Sequence, residues 1–169
     1  MKITRKKVFS GRLISLFKGT KKLPNGREAY FEEVVHPGAS ICVPLVRGRV
    51  VLIRQYRAVI GKYIWELPAG TLDGKESPRI CAKREVQEET GYKVRNLKKL
   101  GKIYTTPGFC NEVIHVYKAE CSSRGNTDMD FDEMIKVESL TKKEVRGLFE
   151  SGKITDSKTI SALSMAGIL

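Results

Sequence analysis

Hydrophobic positions along this chain group into short strand-like runs, then one helix, then strands and two more helices. Val8 to Phe17 shows mixed alternation, Pro24-Asn25-Gly26 signals a turn, and Arg27 to Val35 returns as a strand. Residues 1–38 therefore read as an N-terminal antiparallel β-hairpin, broken by His36-Pro37-Gly38. Ala39 to Val46 and Arg49 to Arg57 are β-rich runs flanking Arg47-Gly48, which predicts a tight hairpin. Ile64 to Leu67 is a short strand running into Pro68-Ala69-Gly70. A helix follows from about Ser77 to Thr90, with Pro78 suited to its first turn and Gly91 as its stop. Strands are expected over Tyr92 to Tyr104, Glu112 to Cys121 and Ile135 to Val137, with a loop at Thr106 to Phe109 and a polar, mobile loop from Ser122 to Asp132. Thr141 and Glu144 form a capping box before a helix that places Val145, Leu148 and Phe149 on one side and ends at Gly152. Asp156 caps a last helix with Ile160, Leu163 and Ala166 as its apolar side. This order is α+β rather than a regular β-α-β alternation, with residues 39–169 as the main domain.

Composition narrows the class. The chain has 169 residues, enough for one domain with a real core, and no apolar run approaches the ~20 residues of a membrane span. The basic start, MKITRKKVFSGRL, has no apolar stretch behind it, so a soluble, cytoplasmic protein is expected. Cys42, Cys81, Cys110 and Cys121 show no paired metal-ligand spacing and read as small buried hydrophobes. The net charge of +12 is concentrated before the main domain and between Lys93 and Lys102. A basic surface of this kind steers small anions as readily as it binds nucleic acid. Aromatic residues for base stacking are scarce beside it, only Tyr92 and Tyr104, so a nucleic-acid partner is not expected.

The chemistry is concentrated in Gly70 to Tyr92. On a helix at about 100° per residue, Glu85, Glu88 and Glu89 fall within roughly a 100° arc. Like charges on one face repel, and a hard divalent cation such as Mg²⁺ or Mn²⁺ would relieve that repulsion. A solvated acidic face is the plainer alternative.

The spacing is more specific than a charge run. Gly70, Glu76, Arg84-Glu85-Val86, Glu88-Glu89 and Gly91-Tyr92 occupy nine specified positions at fixed offsets, and the stretch resembles the Nudix box without a departure. Four further stretches are similar to the ADP-ribose pyrophosphatase group of that family: Val51 to Arg57, Trp65 to Gly70, Thr106 to Glu112 and Ile154 to Ile160. Pro107 lies sixteen positions after Gly91, a mark of that group. One departure is Cys110-Asn111-Glu112, where the group usually has Ser-Asp-Glu.

The resemblance implies a mixed sheet sandwiched between helices, with the N-terminal sheet exchanged across a homodimer. It implies Mg²⁺-dependent hydrolysis of ADP-ribose, or a related nucleoside diphosphate sugar, to AMP and ribose 5-phosphate. Glu85 and Glu89 would bind metal with the Ala69 carbonyl, and Glu88 would be a third ligand or polarise water. A further acid should come from the loop before Ile135: Glu133 first, then Asp132 or Asp130. Glu76 and Arg84 would form a structural salt bridge, with Gly70 and Gly91 as structural glycines. Arg57 would contact phosphate or ribose, with Arg54 as its competitor. Gly108, Phe109 and Glu112 would border the substrate, and Glu66 would reach the adenine edge. Trp65 reads as core. The rival readings are hydrolysis of another nucleoside diphosphate derivative, an RNA-processing Nudix protein, or a ligand sensor that has kept the fold.

Overall fold

A computed structural model describes residues 3–125 and 134–169. The chain gathers into two compact units, one formed by the chain up to Gly38 with Tyr104–Val113, the other by Ala39–Ile103 with Ile114–Leu169. Glu133, Asp132 and Asp130, and most of the expected mobile loop, lie outside the described residues.

The first unit is a three-stranded antiparallel sheet of β1 (Ile3–Ser10), β2 (Ser15–Lys22) and β3 (Glu28–Val35), in that order. The expected hairpin thus has an extra strand. Val8 to Phe17 is not one strand but the end of β1, a turn and the start of β2. The turn closes with the Gly11 N–H on the Ile14 carbonyl at 2.8 Å. Loop residues 106–111 dock on β3, where Val34 donates to the Phe109 carbonyl at 2.7 Å and Asn111 donates back to Val34 at 3.1 Å.

The second unit is built on a seven-stranded mixed sheet. β4 (Ala39–Val46) is central and buried along almost its whole length, as a strand covered on both faces must be. It runs parallel to β9 (Val113–Arg124), which neighbours β8 (Tyr92–Tyr104). On its other side β4 meets β5 (Arg49–Arg57) only at Leu45 and Val46, beside the Arg47-Gly48 turn. Beyond that the two strands splay, and the fork is filled by β6 (Lys62–Glu66) on β5 and β7 (Ala69–Thr71) on β4. Glu66 to Gly70 therefore crosses the middle of the sheet. The fork also accommodates Pro44 in a central strand. The Cys42 N–H reaches across to the Pro68 carbonyl at 3.0 Å, and Pro44, two residues on, faces the same side where no ladder partner waits. β10 (Ile135–Leu140) completes the sheet against β5.

α1 (Pro78–Thr90) covers one face. Ser77 Oγ accepts from Ile80 N–H, Pro78 opens the first turn, and Gly91 at φ 73° donates to the Gln87 carbonyl. Ala82 and Val86 pack with Cys42, Tyr117 and Ala119. α2 (Lys142–Glu150) and α3 (Ser157–Met165) cover the other face, burying Val145, Ala162 and Leu163 against Ile41, Val43 and Leu45. The alternation of β4 thus divides its side chains between two cores. Phe149, expected beside Val145, is exposed instead.

Candidate metal and substrate site

The outward pull of solvent on a carboxylate is overcome at two box positions. Glu85 and Glu89 are both buried, on the face of α1 that meets the fork. Glu89 Oε2 accepts the Ala69 N–H at 3.2 Å. Glu85 lies so close over Gly70 that a Cβ there would come within 1.8 Å of its Oε1. The need for glycine at the box's first position is therefore steric, not conformational.

Arg84 organises the rest. Its Nε and Nη2 donate to the two oxygens of Glu76 at 3.0 and 3.1 Å, and its Nη1 lies 2.7 Å from both Glu85 Oε1 and Glu88 Oε2. Hydrogen bonding from Arg84 holds the Glu76 carboxyl below its usual range, and Glu76 in turn pushes the guanidinium further up. Burial, reinforced by Glu85 and Glu76, pushes the Cys81 thiol up to about 12, so it stays a neutral thiol facing the Gly70 and Thr71 carbonyls.

Among the described residues no group of three or more His, Cys, Asp or Glu side chains surrounds a common point as a metal cage. The pairing explains this: Arg84 draws Glu85 and Glu88 towards itself, while Glu89 turns an oxygen to Ala69. The donor chemistry nonetheless suits a hard divalent cation. All the candidate atoms are oxygens, two of the carboxylates are buried, and Gly70 leaves the space beside Glu85 clear of a side chain.

A second cluster joins the last residues of β5 and β6 through their side chains. Arg57 donates through Nε and Nη2 to both oxygens of Glu66, at 2.8 and 3.1 Å. Lys158, in the first turn of α3, also binds Glu66, and reaches Asp156 Oδ1 at 2.9 Å. Glu66 is 1% exposed with both oxygens engaged, so its partners are these two cations rather than open solvent. The guanidinium of Arg54 lies 5.4 Å from the Trp65 ring centroid. Trp65 itself packs against the core, as expected.

Gly108, Phe109 and Glu112 belong to the first unit. Phe109 is exposed rather than core, and helps line a cavity of about 320 Å³ with Phe31, Arg5, Lys21 and Gly108. Asn111, the departure from the family pattern, accepts the His36 N–H through Oδ1 at 2.8 Å. His36 Nδ1 accepts the Gly38 N–H at 3.0 Å, which leaves no proton there for Glu112, so its 3.4 Å approach to that carboxylate is a contact and not a bond.

A family model for the NUDIX domain matches residues 35–163. The chain belongs to the Nudix hydrolase family. Among its relatives, an ADP-ribose pyrophosphatase of Bacillus subtilis is 37% identical over 95% of this chain and 89% of its own length. A methanol dehydrogenase activator of Bacillus methanolicus has the same identity and coverage. A GDP-mannose pyrophosphatase of Yersinia enterocolitica is 38% identical over 72% of this chain and 68% of its own. The crystal structure of an ADP compounds hydrolase superimposes with a TM-score of 0.85 at 23% identity, covering 98% of this chain and 91% of the other, and so shares the Nudix fold.

The sequence marked the stretch Ile154 to Ile160 by its family resemblance but gave Lys158 and Thr159 no role in this region. The available signal was a lysine in the first turn of a helix, where the macrodipole disfavours a cation.

Proposed function

We propose that the chain hydrolyses the pyrophosphate bond of ADP-ribose, or of a closely related nucleoside diphosphate sugar, releasing a nucleoside monophosphate (AMP from ADP-ribose) and a sugar phosphate. The observation that carries this reading is the burial of Glu85 and Glu89 beside Gly70 and Ala69. Crowded carboxylate oxygens of this kind suit a hard divalent cation, and a pyrophosphate is a substrate whose phosphoryl charge such a cation neutralises. Identity to the Bacillus subtilis pyrophosphatase over nearly the whole chain supports the choice of ADP-ribose.

In this reading Glu85, Glu89 and the Ala69 carbonyl hold Mg²⁺ or Mn²⁺, and Glu88 is a third ligand or orients the attacking water. When bound, the cation neutralises phosphoryl charge and makes water more acidic. Glu133 supplies the remaining acid, with Asp132 or Asp130 in its place if the loop is differently aligned. Arg84 and Glu76 position the box carboxylates without touching substrate. Arg57 pairs with a phosphate or the ribose, Glu66 fixes the plane of its guanidinium, and Gly108, Phe109 and Glu112 contact the remainder of the substrate.

GDP-mannose is the second reading, on the strength of the 38% identity to the Yersinia pyrophosphatase. A panel of ADP-ribose, GDP-mannose, other nucleoside diphosphate sugars and dinucleotides at fixed Mg²⁺ separates the two. The expected result is the highest kcat/KM for ADP-ribose, with AMP and ribose 5-phosphate as products. Absence of cleavage across the panel would remove the proposal.

A further inference from the structure

The first turn of α3, Asp156-Ser157-Lys158-Thr159, makes contacts that no box residue explains. Thr159, fully buried, accepts the Leu67 N–H through Oγ1 at 2.9 Å. Lys158 binds Glu66, the residue immediately before. Two residues further on, the Ala69 N–H is held by Glu89. The segment from Glu66 to Gly70 is therefore gripped at one end by α3 and at the other by α1.

The placement of Lys158 breaks a local rule. A cation in the first turn of a helix opposes the macrodipole, and such departures are expected where function demands them. The reason is electrostatic. Glu66 is a fully buried carboxylate, and a buried charge must be compensated and hydrogen-bonded on all sides. Arg57 alone is half-exposed and could swing away. Lys158, anchored by Asp156 Oδ1 while Asp156 Oδ2 caps the helix at Thr159 N–H, occupies the other side of Glu66. With Glu66 fixed, its two oxygens set the plane of the Arg57 guanidinium through a bidentate pair. Nε and Nη2 engage Glu66, so Nη1 of Arg57 lies on the side of the guanidinium away from this pair. The bookkeeping of charge closes: two cations and two carboxylates.

We infer that Lys158 is a positioning residue for substrate binding, acting through Glu66 to present Arg57. This rests on the substrate role of Arg57 given under Proposed function.

The experiment is steady-state kinetics on ADP-ribose, with thermal melting, for Lys158→Met, Lys158→Arg, the double variant Glu66→Gln/Lys158→Met, and Arg57→Ala. Misplacing a substrate-contacting group by about 1 Å can cost up to about a hundredfold, and here the loss should fall on KM with kcat changed far less. Lys158→Arg should restore most of it. The double variant removes the uncompensated charge, so its melting temperature should return towards the parent while KM stays raised. KM recovering together with stability in the double variant would make Lys158 a charge-balancing residue only, and would overturn the inference. So would a folded Lys158→Met enzyme with the parent KM. If Lys158→Met does not fold, the Arg and double variants still decide. Arg57→Ala with an unchanged KM would instead remove the substrate role of Arg57 itself. A raised KM for Arg57→Ala beside a parental KM for Lys158→Met would sink only the positioning role.

Discussion

At the scale of single residues, the site depends on how closely Glu85 approaches Gly70. A methyl group at position 70 cannot coexist with that carboxylate, so Gly70→Ala should force Glu85 out of place. Misplacement by about 1 Å can cost roughly a hundredfold in rate, and we expect a loss of that order in ADP-ribose turnover from a folded variant. Parental turnover would show that the approach is dispensable. The box glutamates were legible because their spacing is local: one helical face is set by residues three and four apart. The partner of Glu66 was not. Lys158 is distant from Glu66 in sequence, and the two meet only once α3 has packed on the sheet. Asn111 was noticed as a departure from the family pattern, but its bond to the His36 backbone depends on loop 106–111 docking on β3.

The helices show how far local signals carry. The Thr141–Glu144 capping box is present as expected: Glu144 N–H donates to Thr141 Oγ1 and Thr141 N–H donates to Glu144 Oε2. Thr141→Ala should cost about 1 kcal/mol, read as a lowered denaturation midpoint. Bonds from Thr141 hold the Glu144 carboxyl below its usual range. A carboxyl lowered in the folded state stabilises above its unfolded pKa, and that stability is lost as pH falls through the folded value. The deficit of Glu144→Gln relative to the parent should therefore be present near neutrality and shrink in acid. A deficit that stays constant into acid would mean that ionised Glu144 is not what the cap uses. Strand boundaries were harder to read. β1 begins in Ile3 to Lys7, whose lysines and arginine mask the alternation, and Gly11 to Ile14 carries no strong turn signature, so two strands read as one. β7 was missed altogether, because three residues between Pro68 and a polar loop hold no periodic signal.

At the scale of the whole molecule, the Nudix fold, the sandwich of helices about a mixed sheet and the antiparallel N-terminal sheet followed from element order and the family resemblance together. Assembly is a proposal. We expect a homodimer in which residues before His36 meet the partner's active site, because the N-terminal sheet exposes Val8, Phe9, Leu13, Ile14 and Tyr30, apolar surface that a second copy would cover. Sedimentation should give a dimer at micromolar concentration, and deletion to Val35 should reduce both dimerisation and activity. A fully active monomer would remove the idea. No described helix is long and apolar enough to cross a membrane.

We expect the buried carboxylates of the Nudix box to carry metal-dependent cleavage of ADP-ribose. Glu89→Gln tests it most directly, since it keeps size and hydrogen-bonding capacity while removing the charge. Turnover of ADP-ribose with Mg²⁺ should fall by about two orders of magnitude or more, with the melting temperature little changed. A variant that cleaves ADP-ribose at the parent's rate under the same conditions would contradict the account.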